Sequence, residues 1–180
     1  MRGVAPTIET PRLRLRGFLA SDLDAQLAAM TDPEVYRHLG GSPATREETW
    51  RKILASPGLW VLLGYGYWAA ERREDGAYVG QIGFADFKRD MTPSIEGVPE
   101  MGWILGREMQ GQGYATEAVL AALAWADAAL AGQEFAAIID HANAPSIRIA
   151  EKGGFTGREE AIYKGEPILL FRRPPRLRTG

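Results

Sequence analysis

Hydrophobic and polar positions alternate in several short stretches of the chain. Residues 12–18 alternate charged with apolar side chains, a period of two that predicts a half-buried strand. Aromatic-rich or apolar stretches of strand length follow further along. We predict strands at 60–63, 67–71, 78–87, 100–105, 135–139, from 155 onward and at 167–172.

Two N-terminal helices are predicted from their capping residues. Ser21 is followed by the acidic Asp22, which suits the positive start of a helix of about ten residues. Thr45 has Glu48 three residues later, the spacing of a capping box, and opens a helix predicted over 46–54. The first part of the chain therefore combines one strand with two helices, and 88–99 is predicted to be a polar loop.

The C-terminal part follows the order strand, helix, strand, helix, strand. Residues 114–130 place apolar side chains at helical spacing, and Gly132 stands where a helix-terminating glycine belongs. Asn143 is the predicted cap of a last helix, which ends at Gly153. This order predicts a mixed α/β domain with helices on the faces of a sheet.

The composition favours a compact fold. With 180 residues, 46% of them hydrophobic, the chain is long enough to bury one sizeable core. We predict a single domain over 1–180, with its core at about 7–172 and a basic C-terminal tail at 173–180.

Charge and residue usage narrow the classes of function. The net charge of −2 gives no reason to expect a nucleic acid or a membrane surface as partner. Cysteine is absent and histidine occurs twice, so a thiolate nucleophile is excluded and no metal site is expected. No apolar run approaches the ~20 residues that span a bilayer, and no secretory signal is expected. We therefore expect a soluble, cytoplasmic protein.

Glycines precede the long Ala/Leu helix. Residues 110–116 read Gln-Gly-Gln-Gly-Tyr-Ala-Thr and connect an apolar strand to that helix. The first backbone N–H groups of a helix lack intrahelical partners, and the macrodipole makes this end positive. Because glycines let such a backbone approach an anion closely, the segment predicts a site for phosphate or pyrophosphate. The alternative is that the glycines only turn the chain.

Two other phosphate-binding motifs fit less well. A P-loop ends in Gly-Lys-Ser/Thr, which does not occur in this chain. A dinucleotide fingerprint needs a third glycine where Thr116 stands, and several residues separate Leu105 from Gly111. Asp140 ends the next strand, as a ribose-binding acid would, but the 40 residues after it are too few for a doubly wound sheet.

Two blocks of the chain resemble the GNAT superfamily of N-acetyltransferases, in its RimJ/RimL-like branch. The first is Gln110-x-x-Gly113-x-Ala115, similar to the family signature Arg/Gln-x-x-Gly-x-Gly/Ala. The second begins at Asn143-x-x-Ser146 and ends in Gly-Phe at 154–155. The opening of the branch, Thr-x-Arg-Leu-x-Leu-Arg, appears slightly altered at 10–16, and the resemblance spans about residues 7 to 172.

The resemblance implies acetyl-coenzyme A as co-substrate and no metal. It also implies a GNAT fold, with a mostly antiparallel sheet of about six to seven strands and a splayed central strand pair. Pantetheine would lie in the splayed gap and the pyrophosphate on the glycine-rich turn. The residues expected to contact the coenzyme are Trp103, Ile104, Leu105, Gln110, Gly111, Gln112, Gly113, Tyr114, Ala115, Thr116, Asn143 and Ser146.

The implied reaction is direct attack of a neutral amine on the thioester, which needs a proton acceptor and a proton donor for the thiolate. Glu100 starts the strand before the signature, where carboxylates of this branch often face the acceptor, and is the expected base. His141 and His38 are alternatives. Ser146 is the expected donor, because Ala150 occupies the position of the tyrosine acid found in many family members.

Other catalytic and functional readings stay open. Tyr163 is an alternative hydroxyl, and positioning alone, with protons passing to water, is another route. The acceptor is expected to be a primary amine on a protein N-terminus or a small molecule. A non-catalytic acyl-CoA-binding or regulatory module is the second class of function, and a nicotinamide-binding fragment is the third. Homodimers are common in this branch, so a homodimer is one option for the assembly.

The acceptor pocket is expected between the two N-terminal helices and the 88–99 loop. Most aromatic residues of this half should be core, with one or two touching the substrate. The aromatic residues considered are Tyr36, Trp50, Trp60, Tyr65, Tyr67, Trp68 and Trp103.

Overall fold

The structure, a computed structural model, describes residues 4–39 and 42–176. These residues form nine strands and five α-helices. The strands are β1 (Ile8–Glu9), β2 (Leu13–Arg16), β3 (Tyr67–Arg72), β4 (Tyr78–Ala85), β5 (Met91–Thr92), β6 (Glu100–Leu105), β7 (Phe135–Ile139), β8 (Gly157–Tyr163) and β9 (Glu166–Arg173). The helices are α1 (Leu23–Thr31), α2 (Pro33–Tyr36), α3 (Arg46–Leu63), α4 (Tyr114–Ala129) and α5 (Ala144–Lys152).

The strands form one mixed sheet in the order β1-β2-β3-β4-β6-β7-β9-β8-β5. Every neighbouring pair is antiparallel except β6 and β7. The predicted mixed, mostly antiparallel sheet is therefore confirmed, but the predicted count of six to seven strands is wrong. β1 and β5 are two residues long each, too short to produce a readable alternation in the sequence.

The central strands β6 and β7 diverge, as the resemblance implied. Their only register pair is Glu100 with Ala136, supported by a 3.1 Å hydrogen bond from the Ala136 N–H to the Pro99 carbonyl. On its other edge β6 stays paired with β4 as far as Leu105 opposite Gly80. One edge of β6 beyond Glu100 is therefore left without a strand partner in the described sheet.

Helices lie on both faces of the sheet. Ile82 packs in the same core cluster as Val119 of α4. Its neighbour Gln81 points to the opposite face, where it accepts a 2.7 Å hydrogen bond from Gln26 of α1. None of the helices in the two described ranges has the length and apolar composition to cross a membrane.

Helix α3 is longer than its sequence indicates, and the strand predicted at 60–63 is wrong. Trp60 of α3 meets Trp68 and Trp125, with ring centroids 4.7 and 5.3 Å away. Its Nε1 also donates to the Tyr67 carbonyl at 3.1 Å. This packing continues the helix past Pro57, until Gly64 ends it in a left-handed conformation. Tertiary contacts thus override a local pattern that favoured a strand.

Local helix signals were confirmed with one shift. Thr45 and Glu48 form the predicted capping box. Ser21 is not the cap of α1, because a short 3-10 helix precedes it and Asp22 occupies the cap position. The Asp22 carboxylate instead accepts two hydrogen bonds from Arg16, at 2.8 and 2.9 Å.

Two segments expected to be loop or tail contribute to the fold. In the 88–99 segment, β5 pairs with β8, and Met91 and Ile95 are buried. Strand β9 runs to Arg173, one residue beyond the predicted core boundary. The Arg173 side chain is only 2% exposed and donates to Asp127 at 2.6 and 2.7 Å. Residues 177–180 of the predicted tail lie outside the described residues.

Candidate active site

Two adjoining cavities open where β6 and β7 diverge. The first, about 390 Å³, lies beside the β8–β9 hairpin and is called the hairpin cavity. The second, about 490 Å³, lies between the start of α4 and α5 and is called the helix cavity. Six residues line both cavities and mark their junction: His38, Leu39, Trp103, Ile104, Asn143 and Ser146.

The helix cavity ends on the glycine-rich turn before α4. Gly111 and Gly113 have φ of +73° and +80°, a backbone conformation that residues with a Cβ rarely adopt. Within the described residues, no backbone N–H from 111 to 116 donates to another protein group. Such free N–H groups, together with the helix macrodipole, attract an anion. The turn therefore suits the phosphate group that its sequence predicts.

The opening segment of the chain holds this turn in place. Arg12 donates through Nε to Glu117 at 2.7 Å and through Nη1 to the Gln112 carbonyl at 2.9 Å. Thr10 Oγ1 donates to Glu117 at 2.6 Å. Burial alone would raise the pKa of Glu117, but the hydrogen bonds from Thr10 and Arg12 outweigh it and hold that pKa below its ordinary value. The opening motif at 10–16 and the signature segment are thus joined by the contacts of Thr10 and Arg12 with Glu117 and Gln112. These contacts are called the clamp.

Helix α5 forms the other wall of the helix cavity. Asn143 caps it, with Oδ1 accepting from the Ser146 N–H at 3.2 Å. Arg148 and Lys152 also line the cavity and were not predicted as site residues. They are four positions apart, so they share one face of the helix and add positive charge near the α4 N-terminus. This spacing behind the Asn-x-x-Ser block is the sequence signal that could have identified them.

Most of the predicted coenzyme residues lie together. Eleven of the twelve line the helix cavity, and the exception is Gln112. The Gln112 side chain instead donates from Nε2 to the Glu108 carbonyl at 2.7 Å. Ala150, at the position of the family's tyrosine acid, is fully buried in the core. Ser146 lines both cavities, where the predicted proton donor would be needed.

Trp103 carries a hydrogen-bond donor that the described residues leave unused. Its Nε1 is buried and has no partner in the described part of the chain. An unsatisfied buried donor costs about 1–3 kcal/mol, so its presence at the junction points to a partner outside the protein. An oxygen of a bound molecule at the junction would satisfy it.

Glu100 lies at the base of the hairpin cavity in a bidentate ion pair. Arg89 donates to its two carboxylate oxygens at 2.5 and 2.8 Å, and to the Tyr163 hydroxyl at 2.7 Å. Glu100 is 4% exposed, so it is not a solvated carboxylate at a strand end. Burial lowers the pKa of Arg89, but the hydrogen bonds with Glu100 more than offset it and the pKa is raised. Arg89 therefore stays positively charged beside the Glu100 carboxylate.

Of the aromatic residues considered for the acceptor pocket, Tyr67 and Trp103 line the hairpin cavity. Burial, and then the negative charge of Glu100, raise the pKa of Tyr67, with the charge of Arg89 opposing them. The Tyr67 phenol therefore stays neutral at ordinary pH. Its hydroxyl lies against Gly102, where an added Cβ would be 2.3 Å from the oxygen.

The two histidines are in different places. His38 lines both cavities, and its Nδ1 lies 3.5 Å from Oδ1 of Asp140 at the end of β7. His141 is exposed, contacts Glu160 at 2.8 Å and lines neither cavity. Of the two alternative bases, His141 therefore lies outside both cavities, and His38 lies at their junction.

Comparison with known proteins agrees with this geometry. Residues 12–156 match the family model described as an acetyltransferase (GNAT) domain. The chain is 30% identical to the uncharacterised protein YkkB of Bacillus subtilis (strain 168), with 91% of this chain and 93% of YkkB covered. A GNAT-family acetyltransferase structure from Bordetella pertussis is 28% identical, with a TM-score of 0.80, and 94% of this chain and 99% of that one are covered.

A structure of RimL, a ribosomal L7/L12 alpha-N-protein acetyltransferase in complex with coenzyme A, shares the fold. Its TM-score is 0.72 at 20% identity, with 94% of this chain and 98% of RimL covered. The family match extends over most of the chain, from the clamp at Arg12 to the end of the second sequence block. This protein is a member of the GNAT acetyltransferase family.

Proposed function

We propose that this protein transfers the acetyl group of acetyl-coenzyme A to a primary amine. The observation that carries the proposal is the continuity of the two cavities through the splay of β6 and β7. One cavity ends on free helix amides that suit a pyrophosphate, and the other is lined in part by the polar side chains of Arg89, Glu100 and Tyr163. Two substrates bound in the two cavities would meet at the junction.

The residues of the helix cavity fit coenzyme A. The unpaired edge of β6 at Trp103 and Ile104 offers main-chain groups to an amide-containing chain such as pantetheine. The turn at 111–116 offers amides to the pyrophosphate, and Arg148 and Lys152 supply positive charge. The RimL structure, which has the same fold, is a complex with coenzyme A, and this supports coenzyme binding by the present chain.

The chemistry divides between the coenzyme and the chain. Bound acetyl-coenzyme A supplies a thioester: the amine nitrogen bonds to its carbonyl carbon, the carbon–sulfur bond breaks, and one proton passes from nitrogen to sulfur. Asn143 orients the start of α5, so that Ser146 presents a hydroxyl for the proton that reaches the sulfur. Main-chain N–H groups at the end of β6 donate to the carbonyl oxygen as it gains charge.

The hairpin cavity is the proposed acceptor site. Its volume of about 390 Å³ suits a small-molecule amine or the first residues of a protein N-terminus. Glu100 stays a candidate proton acceptor there, through water, because each of its oxygens keeps a lone pair beyond those used by Arg89. Tyr67 supplies a neutral hydroxyl to the same wall.

A charge substitution on the turn tests the coenzyme site. Thr116 lies in the first turn of α4, where an acidic residue stabilises a helix by about 0.3–1 kcal/mol. Thr116→Asp should therefore fold at least as well as the wild type, yet repel the pyrophosphate. Calorimetry should show acetyl-coenzyme A affinity reduced by about tenfold or more, a loss of ~1.4 kcal/mol, with Thr116→Asn close to wild type.

Turnover is tested next with a panel of amines. Free peptides, amino acids, polyamines and aminoglycosides are incubated with acetyl-coenzyme A, and thiol release is followed. Binding together with acetylation of at least one amine supports the proposal. Binding without turnover on any of them indicates the non-catalytic module instead. Failure of a folded wild type to bind the coenzyme contradicts both.

A further inference from the structure

Among the described residues that line both cavities, His38 is the one whose side chain belongs to a class used as a general base. Of the six residues that line both cavities, Trp103, Asn143 and Ser146 carry a donor or a neutral polar group, and two others are aliphatic. The sixth is His38, whose imidazole belongs to the side-chain class used most often as a general base. Glu100 lines the hairpin cavity but not the helix cavity.

We infer that His38 is the general base of the acetyl transfer and that Asp140 is its positioning residue. The inference rests on the proposed function and assigns a residue within it. One proton of the attacking nitrogen passes to Nε2 of His38 and from there to the departing sulfur, directly or through the Ser146 hydroxyl. Nitrogen loses one proton and sulfur gains one, so the step balances without another reactant.

The contacts of His38 select the tautomer that this role needs. Nδ1 lies 3.5 Å from Oδ1 of Asp140, and Nε2 accepts from Arg37 Nε at 3.1 Å. A proton on Nδ1 and a lone pair on Nε2 satisfy both neighbours. The contact with Asp140 is long for a hydrogen bond, as catalytic contacts often are before substrate binds. In this arrangement a carboxylate orients a histidine base, as in the Ser-His-Asp triad.

The charged neighbours of His38 have partners of their own. Arg37 is 58% exposed and is paired with Glu34 at 3.1 Å, so a substrate amine can displace its contact with Nε2. Asp140 is held by its own 2.7 Å hydrogen bond from the Ala142 N–H. His38 itself is 16% exposed at the side chain, which limits its contact with bulk water.

Under this inference, Glu100 holds Arg89 in place and is not the proton acceptor. Its ion pair with Arg89 anchors the guanidinium between the rings of Phe87 and Tyr163, each about 4.8 Å from the guanidinium carbon. Loss of this anchor should disturb the shape of the hairpin cavity more than the proton transfer. Glu100→Gln should therefore act mainly through the KM for the amine, which should rise.

Kinetics of matched histidine variants test the inference. His38→Gln should lower kcat by about 10²-fold or more with an unchanged affinity for acetyl-coenzyme A, while His141→Gln, at the exposed histidine, should match the wild type. Asp140→Asn should lower kcat without changing KM. It should add nothing further in the presence of His38→Gln, because residues that act as a unit are not additive.

Chemical labelling gives a readout that does not depend on a folded variant. Diethyl pyrocarbonate acylates neutral imidazole, and the two histidines can be told apart by mass spectrometry of the wild type. Labelling of His38 should inactivate the enzyme and should be slowed by coenzyme A together with the amine, whereas labelling of His141 should be unaffected. Full activity after complete labelling of His38 would overturn the inference.

The outcomes separate this inference from the proposed function. An active wild type with an equally active His38→Gln, and an inactive Glu100→Gln, returns the base to Glu100 and leaves the acetyltransferase proposal standing. A wild type that binds acetyl-coenzyme A but acetylates no amine removes both.

Discussion

Arg12 and Glu117 stand 105 positions apart in the chain and form a 2.7 Å ion pair beside the glycine-rich turn. The backbone N–H of Arg12 also donates to Glu117, at 2.9 Å. The first strand region is thereby fastened to the first turn of α4. Because the amides of that turn must keep a fixed direction to hold an anion, the clamp links the N-terminal strand to the proposed coenzyme site.

The clamp should make stability depend on acidity. The folded-state pKa of Glu117 is lowered, so its contribution to stability is present above the ordinary glutamate pKa of ~4.3 and is lost as the pH falls through the lower folded value. Glu117→Gln removes this contribution, so the difference in unfolding free energy from wild type should shrink on acidification from pH ~7 to ~3. Urea unfolding at several pH values measures it.

A neighbouring carboxylate provides the matched control. Glu108 lies on the segment just before the turn, and its carboxylate accepts no hydrogen bond from the described residues. Glu108→Gln should therefore follow the wild-type stability across the same pH range. A Glu117→Gln curve that stays parallel to wild type at every pH would contradict the role of the ion pair.

The hairpin cavity should be sensitive to a single methyl group at Gly102. An alanine Cβ there would lie 2.3 Å from the Tyr67 hydroxyl, so the phenol must move into the cavity. Gly102→Ala should raise the KM for the amine by about tenfold, a cost of ~1.4 kcal/mol, with coenzyme affinity unchanged. Steady-state kinetics measures the KM for the amine, and calorimetry measures the affinity for the coenzyme.

Removing the clashing oxygen should relieve the effect. In Gly102→Ala combined with Tyr67→Phe, the nearest remaining ring atom is 3.4 Å from the new methyl group, an ordinary contact. The KM of the double variant should return toward that of Tyr67→Phe alone. No recovery would mean that Gly102 acts through the β6 backbone and not through Tyr67.

The buried Arg173 should make Asp127 important for stability. Arg173 donates to both oxygens of Asp127 and to the Gly153 carbonyl, all at 2.6–2.8 Å. Asp127→Asn leaves a buried guanidinium without its counter-charge and should cost about 3 kcal/mol of unfolding free energy. Asp24→Asn, at the 81% exposed partner of Arg46, should cost less than ~0.5 kcal/mol. Chemical denaturation of the two variants compares them directly.

Local features were the easiest to predict from the sequence. The capping box of Thr45 and Glu48 and the cap at Asn143 follow from residue chemistry over a few positions. Each depends on contacts within one turn of the backbone, which the rest of the fold does not need to supply. The coenzyme residues implied by the family resemblance stay a prediction; eleven of them line the helix cavity, and Gln112 does not.

Features set by distant contacts were missed. Nothing in the pattern around Trp60 indicates a helix, because that segment is held helical by Trp68 and Trp125 from other elements. The pairing of Glu100 with Arg89 and the buried role of Arg173 were equally invisible. In each case the fold of the sheet, and not the local sequence, brings the two side chains together.

The sequence by itself determined the mixed α/β class, the glycine-rich turn before α4 and the family to which this chain belongs, because each depends on short periodic or spaced motifs. Only the tertiary structure decided which of the candidate bases faces both cavities. His38 follows α2 and Asp140 follows β7, and their side chains approach to 3.5 Å. They meet because β7 diverges from β6 and opens a space that the N-terminal helical segment closes, a relation between elements that no local pattern encodes.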